Sequence, residues 1–246
     1  MNLFRYASPA SFYGLASRFY PWFLGLAAVL AVPGLVLGLL IAPTDFQQGD
    51  SYRIIFIHVP SAWMSMFIYM VMAGYSIIAL VYNTRLSAMM AEALAPTGAW
   101  MTVVALITGS LWGKPTWGTY WVWDARITSE FILLFIYLGF LALRHSLDDP
   151  RKADKACSLL CIVGAVNIPI IYFSVIWWNT LHQGATIDPK GGAKMAPLML
   201  LSMLIMSLSF WMYAIGTSLA RVRSIILERE GAADWAKDAA AGRAPA

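Results

Sequence analysis

Residues 54–82 read Ile-Ile-Phe-Ile-His-Val-Pro-Ser-Ala-Trp-Met-Ser-Met-Phe-Ile-Tyr-Met-Val-Met-Ala-Gly-Tyr-Ser-Ile-Ile-Ala-Leu-Val-Tyr. A bilayer core asks for roughly 20 mostly apolar residues in helical form, and this stretch supplies them. Working outward, 20–42, 93–112, 126–143, 156–178 and 197–219 have the same character. All six are of helix length, and none alternates as a membrane barrel strand does. The chain is 60% hydrophobic and 12% charged, with a mean hydropathy of +0.66. Soluble domains carry about 25% charged residues, so lipid is the solvent this composition requires. The fold class expected is an all-α integral membrane protein, a bundle of six transmembrane helices. Pro33, Pro96 and Pro169 fall inside or near the ends of spans, where kinks are expected.

Basic residues orient the bundle. Arg5, Arg18, Arg85, Arg144, Arg151, Lys152, Lys155, Arg221, Arg223, Arg229, Lys237 and Arg243 fall on one side; only Arg53, Lys114, Arg126, Lys190 and Lys194 fall on the other. That asymmetry puts both termini in the cytoplasm. Residues 1–19 lack the apolar region and cleavage site of a signal peptide, so the first span is read as a retained anchor. The net charge of +4 fits the same bias, and no basic-aromatic pattern points to nucleic acid. Cys157 and Cys161, one helical turn apart, read as buried packing residues rather than a thiol pair. There is no Cys-x-x-Cys-His haem attachment sequence.

The chain divides into a cytoplasmic segment 1–19, a six-span domain 20–220 and a cytoplasmic tail 221–246. Outer loops are expected at 43–53, 113–125 and 179–196. Residues 221–230 read as an extension of the last helix, and 231–246 as frayed. No internal repeat supports a transporter built from inverted halves.

The densest aromatic segment is 112–130, Trp-Gly-Lys-Pro-Thr-Trp-Gly-Thr-Tyr-Trp-Val-Trp-Asp-Ala-Arg-Ile-Thr-Ser-Glu. Four of the chain's eleven tryptophans, Trp112, Trp117, Trp121 and Trp123, lie in it. Gly113, Pro115 and Gly118 read as breaking any helix through its first half, giving a loop over 112–125. Aromatic belts form at any membrane interface, and composition alone leaves belt and ligand surface as equal readings. Of the three histidines, His145 lies among charges and reads as a solvated surface residue. His58, in Ile-His-Val-Pro, sits where Pro60 suits the first turn of a helix. His182, in Leu-His-Gln-Gly, lies just past the fifth span. Both are expected at the outer face, level with the tryptophans. Neutral imidazole is a good ligand for haem iron, and a porphyrin needs axial nitrogens, aromatic walls and cations at its edge. Lys114, Arg126, Arg53, Lys190 and Lys194 are the candidates for the propionates. Asp124 can cap the fourth span. Glu130, four residues after Arg126, reads first as its ion-pair partner and second as a proton site.

Trp-Gly-Thr-Tyr-Trp-Val-Trp-Asp at 117–124 matches the Trp-Gly-x-x-Trp-x-Trp-Asp signature of haem-handling membrane proteins. With six spans and one histidine in each flanking outer loop, the chain resembles the CcmC family, haem exporter protein C of bacterial cytochrome c maturation, over about 20–220. The resemblance implies that His58 and His182 are axial ligands to the iron of haem b. It also implies that Trp117, Gly118, Trp121, Trp123 and Asp124 form the haem surface and engage a periplasmic haem chaperone, the E component. Trp112 and Arg126 adjoin that signature as candidate haem contacts. Further implied partners are a small single-span D component and the A and B components of an ABC transporter. The site would face the periplasm from the bacterial inner membrane. The sequence holds no catalytic nucleophile and no nucleotide-binding loop, so an enzyme is not expected. The competing readings are an electron-transfer subunit of cytochrome b type and a permease subunit without haem.

Overall fold

The computed structural model describes residues 6–178, 180–182, 184, 187–188, 192–193 and 195–242. Its elements are α1 (Pro9–Leu35), α2 (Ile55–Tyr82), α3 (Arg85–Trp117), α4 (Ala125–Ser146), α5 (Pro150–Gly164), α6 (Asn167–Trp177), β1 (Ile187–Asp188), β2 (Gly192–Ala193), α7 (Pro197–Glu230) and α8 (Asp234–Ala240). Six helical stretches are long and apolar enough to cross a membrane, with α5 and α6 together making the fifth. The chain is the all-α six-span bundle expected from its hydropathy.

Sequence explains where the helices begin and bend. Ser8 caps α1, accepting from Ser11 N–H at 3.4 Å, and Pro9 follows at the first helical position, where a missing N–H costs nothing. Beyond Pro33 the helix loosens into a π-helical stretch, Val36–Ile41, closed by Ala42 N–H on Leu37 O at 2.7 Å. The fifth span is broken rather than kinked. Pro169 has no N–H for the carbonyl of Ala165, four residues back; Ile168 N–H takes that carbonyl instead, at 3.1 Å. The tail departs from the expectation of fraying. α8 forms, and Trp235 packs on Tyr13 with ring centroids 6.1 Å apart, covering apolar surface that α1 and α7 leave open.

Small residues set the helix contacts, as is common where lipid offers no hydrophobic drive to association. Ser202 and Ser209 of α7 donate to Gly34 O and Ala27 O of α1, both at 2.8 Å. Tyr69 and Tyr137 are fully buried, edge to face at 5.1 Å. Each lies against a glycine, Gly164 and Gly98 respectively, whose absent Cβ leaves room for the phenol. At the end of the bundle away from His58, Glu92 of α3 accepts from Arg144 of α4 at 2.9 Å and from Arg229 of α7; Arg229 also pairs with Asp154 of α5 at 3.0 Å. This cluster ties four helices at one face.

Candidate functional site

His58 is the fourth residue of α2, not at a turn into it. A 3-10 segment, Asp50–Ile54, leads directly into the helix, and the chain is already helical at Ile55. Pro60 is accommodated inside α2, leaving one carbonyl, that of Phe56, without its helical partner. The imidazole Nδ1 lies 3.1 Å from Ala105 O and 3.0 Å from Thr108 Oγ1. A carbonyl oxygen only accepts, so Nδ1 carries the proton, and Nε2 is left with its lone pair. Thr108 Oγ1 in turn donates to Val104 O at 2.6 Å, which frees its own lone pair for Nδ1–H. A Cβ at Gly109 would stand 3.1 Å from His58 Cε1, so the glycine lets α3 come close to the ring.

His182, in the segment after α6, meets this imidazole. The two ring centroids are 6.2 Å apart and the planes tilt by 35°. Trp112 lies 6.5 Å from His58 and 6.0 Å from His182, and Trp117 lies 6.5 Å from His182 and 5.0 Å from Trp112. These four rings, with Arg126 and Glu130, line an open cavity of about 470 Å³.

The tryptophans divide in two, which the expected 112–125 loop did not anticipate. α3 continues to Trp117, so Trp112 and Trp117 sit on a helix facing the histidines. Pro115 removes one hydrogen bond from the last turn only, and Gly113 is where the returning chain crosses: Thr119 O would be 3.0 Å from a Cβ there. The helix ends at Gly118, left-handed at φ 81°, whose N–H bonds Lys114 O at 3.0 Å. The chain then carries Trp121 and Trp123 away from the histidines, onto Phe131 at 5.5 and 6.1 Å. Trp121 Nε1 is buried without a hydrogen-bond partner among the described residues, and Trp123 is 73% exposed. Asp124 caps α4 through Ile127 N–H at 2.9 Å; its second oxygen accepts Leu181 N–H at 3.2 Å, joining the tryptophan segment to the residue beside His182.

The five cations fare differently. Arg126 lines the cavity and donates to Ile171 O at 2.8 Å. Arg53 is occupied by Gly38 O, Ala42 O and Asp50 at 2.7, 2.9 and 2.9 Å, closing the turn between α1 and α2. Lys114 bonds Gly118 O at 3.1 Å on the surface. Lys190 and Lys194 lie outside the described residues, as does Gln183 of the Leu-His-Gln-Gly stretch. The ion pair read between Arg126 and Glu130 does not form. Glu130 accepts from Ser65 Oγ at 2.6 Å while Arg126 turns to the carbonyl that the α6 segment presents. His145 is exposed on α4, at the opposite end of the bundle.

Three contributors escaped the sequence reading. Thr108 sets the His58 tautomer, Ser65 holds Glu130 in the cavity wall, and Gln48 accepts Trp112 Nε1–H at 2.8 Å. No motif marks them; each acts across a contact between elements far apart in sequence. Comparison with known proteins agrees with the architecture. Residues 2–237 match the family described as Heme exporter protein C, CcmC. The protein of that name from Bradyrhizobium diazoefficiens is 46% identical over 93% of this chain and 87% of its own length. That of Escherichia coli K12 is 44% identical over 96% of each. A ccmC-like mitochondrial protein of Marchantia polymorpha, whose name refers to cytochrome c biosynthesis, is 46% identical over 74% of this chain and 78% of its own. A match of this extent, on a six-span bundle bearing the paired histidines and the tryptophan signature, places the chain in the Heme exporter protein C family.

Proposed function

We propose that this protein binds haem as cargo between His58 and His182 and hands it to a soluble chaperone. The supporting observation is the histidine pair itself. With metal–nitrogen distances of about 2.0–2.1 Å, two imidazoles in line across one metal ion have centroids roughly 6 Å apart, and here the value is 6.2 Å. His58 already presents a bare Nε2, its Nδ1–H being spent on Ala105 O and Thr108 Oγ1. Trp112 and Trp117 offer apolar surface, and Arg126 a cation for a propionate. The names of the relatives point the same way.

Trp112 is nearly equidistant from both imidazoles, so its indole stands beside the plane midway between them. A disc as wide as a porphyrin needs that plane, and Trp112 must yield to admit it. A site held by side chains from a helix end and a loop, rather than sealed in the bundle, suits a cargo that has to leave. The partners expected are a periplasmic haem chaperone (the E component), a small single-span D component and ABC transporter A and B components. The haem taken is haem b, not covalently attached. The setting is the bacterial inner membrane, with both termini in the cytoplasm and His58 and His182 toward the periplasm. The protein is a carrier rather than an enzyme, and any ATP use belongs to its partners. An electron-transfer role of cytochrome b type has less support: the remaining histidine, His145, is exposed at the far end. The test is the visible spectrum and haem content of the purified protein. His58→Ala and His182→Ala should each lose the two-imidazole spectrum, and the double variant should lose most of its haem. Wild-type haem content and spectrum in the double variant would overturn the assignment.

A further inference from the structure

The end of the bundle opposite the histidines carries a second cavity, open and about 550 Å³ in extent. The α2–α3 turn contributes Asn83, Thr84 and Arg85, and α5 contributes Arg151, Lys155 and Ser158. Among the described residues Arg151 and Lys155 form no ion pair; Asp149, which caps α5, is engaged by the N–H groups of Arg151 and Lys152 at 2.9 and 3.3 Å. Arg85 pairs with Glu230 at 2.8 Å but keeps 61% of its side chain exposed. The one carboxylate in the wall, Asp154, is neutralised by Arg229 at 3.0 Å. The cavity therefore holds an excess of positive charge.

A second observation is independent of charge. Only 2% of Ser158 is accessible, and its hydroxyl, which makes no hydrogen bond among the described residues, borders this cavity. A hydroxyl without a partner in the chain, set in a cavity wall, has its donor free for a group bound in the cavity. The two helices that flank the cavity also carry exposed apolar side chains close by in sequence. Ile77, Ile78 and Val81 of α2 and Leu159 and Val163 of α5 are exposed apolar side chains, 41–70% accessible. Polar donors and cations at the bundle end, continuing into two apolar helix faces, match a molecule with an anionic head and hydrocarbon tails.

We infer that this cavity binds the phosphate group of an anionic phospholipid, with Arg151, Lys155 and Arg85 as its counter-charges and Ser158 as a hydrogen-bond donor. The positive-inside bias accounts for basic residues on this face. It does not account for their convergence on one cavity with an unbonded hydroxyl. Lys152 separates the two explanations, being on the same helix and exposed but outside the cavity.

The experiment titrates delipidated full-length protein in detergent with phosphatidylglycerol, with phosphatidylcholine of the same chains, and with phosphatidylglycerol in the presence of inorganic phosphate. Bound lipid is counted by native mass spectrometry. Wild type should favour phosphatidylglycerol by roughly thirtyfold, at about one basic residue's worth of attraction for each of two free cations. The Arg151→Gln/Lys155→Gln variant should lose that preference, Lys152→Gln should keep it, and Arg151→Lys/Lys155→Arg should keep most of it. Equal binding of the two lipids overturns the proposal, as does an equal loss in Lys152→Gln. Displacement of the lipid by inorganic phosphate at matched concentration also overturns it, assigning the cavity to soluble phosphate instead. Both substituted side chains are exposed and outside any ion pair, and an unchanged melting temperature in detergent shows that the variants are folded.

Discussion

A ligand histidine is only as good as the group behind it. Thr108 and Ala105 hold the His58 Nδ1 proton, and through it the orientation of the ring. Partners in that position typically contribute 10–100-fold to metal affinity. Thr108→Val keeps the shape and removes one acceptor, so haem affinity should fall by about tenfold, with Ala105 O still in place. Thr108→Ser should restore it. A haem titration followed at the Soret band decides the matter, and an unchanged affinity in Thr108→Val would show that the hydroxyl is not used. The histidines were legible as residues, and so was the end of the bundle they share. Thr108 was not, because a threonine on an apolar helix has many unremarkable uses. Only the crossing of α2 and α3 shows which use this one has. Asp124 is a mixed case. Its cap on α4 could be read from position alone, whereas its bond to Leu181 N–H depends on how the segment after α6 returns to the tryptophans.

Among the elements, the fifth span shows where hydropathy stops informing. Residues 156–178 are apolar throughout, and nothing in that average distinguishes one helix from two. The break follows from a hydrogen bond that Pro169 cannot make and from the packing of α5 and α6 on α4 and α2. Gly164, the last residue of α5, sits against the Tyr69 hydroxyl and Ile136. Gly164→Ala should force one of them aside at a cost of about 1–3 kcal/mol, the usual range for overpacking. A lowered melting temperature in detergent is the expected result, and an unaltered one would mean that the junction yields without strain. The 112–125 segment teaches the converse. Glycine and proline there suggested a loop, but a proline in the final helical turn costs only one bond. The turn places Trp117 against Trp112 and His182. A conformational preference of a residue or two lost to contacts made by a large aromatic side chain.

Across the whole molecule, the two ends of one bundle carry different sets of side chains. The Glu92, Arg144, Arg229 and Asp154 cluster joins α3, α4, α5 and α7 at the end away from the histidines. Trp112 comes twenty residues after Glu92 on α3, about 30 Å at the helical rise. Glu92→Gln leaves two guanidinium groups short of charge and should cost about 1–3 kcal/mol of stability. The haem spectrum should stay unchanged at that distance. A spectral change without any loss of stability would reveal coupling between the ends that no contact explains. Composition and hydropathy determined by themselves that this protein lives in lipid as six helical crossings. Each crossing is a local property: twenty apolar residues in a row must satisfy their own backbone wherever they lie. What only the tertiary structure decided is that residues 58 and 182 face each other at 6.2 Å, that two tryptophans rather than four line the gap, and that Arg126 parts from Glu130. These are distances between elements, set by how small residues let helices approach, and no single stretch of chain contains them.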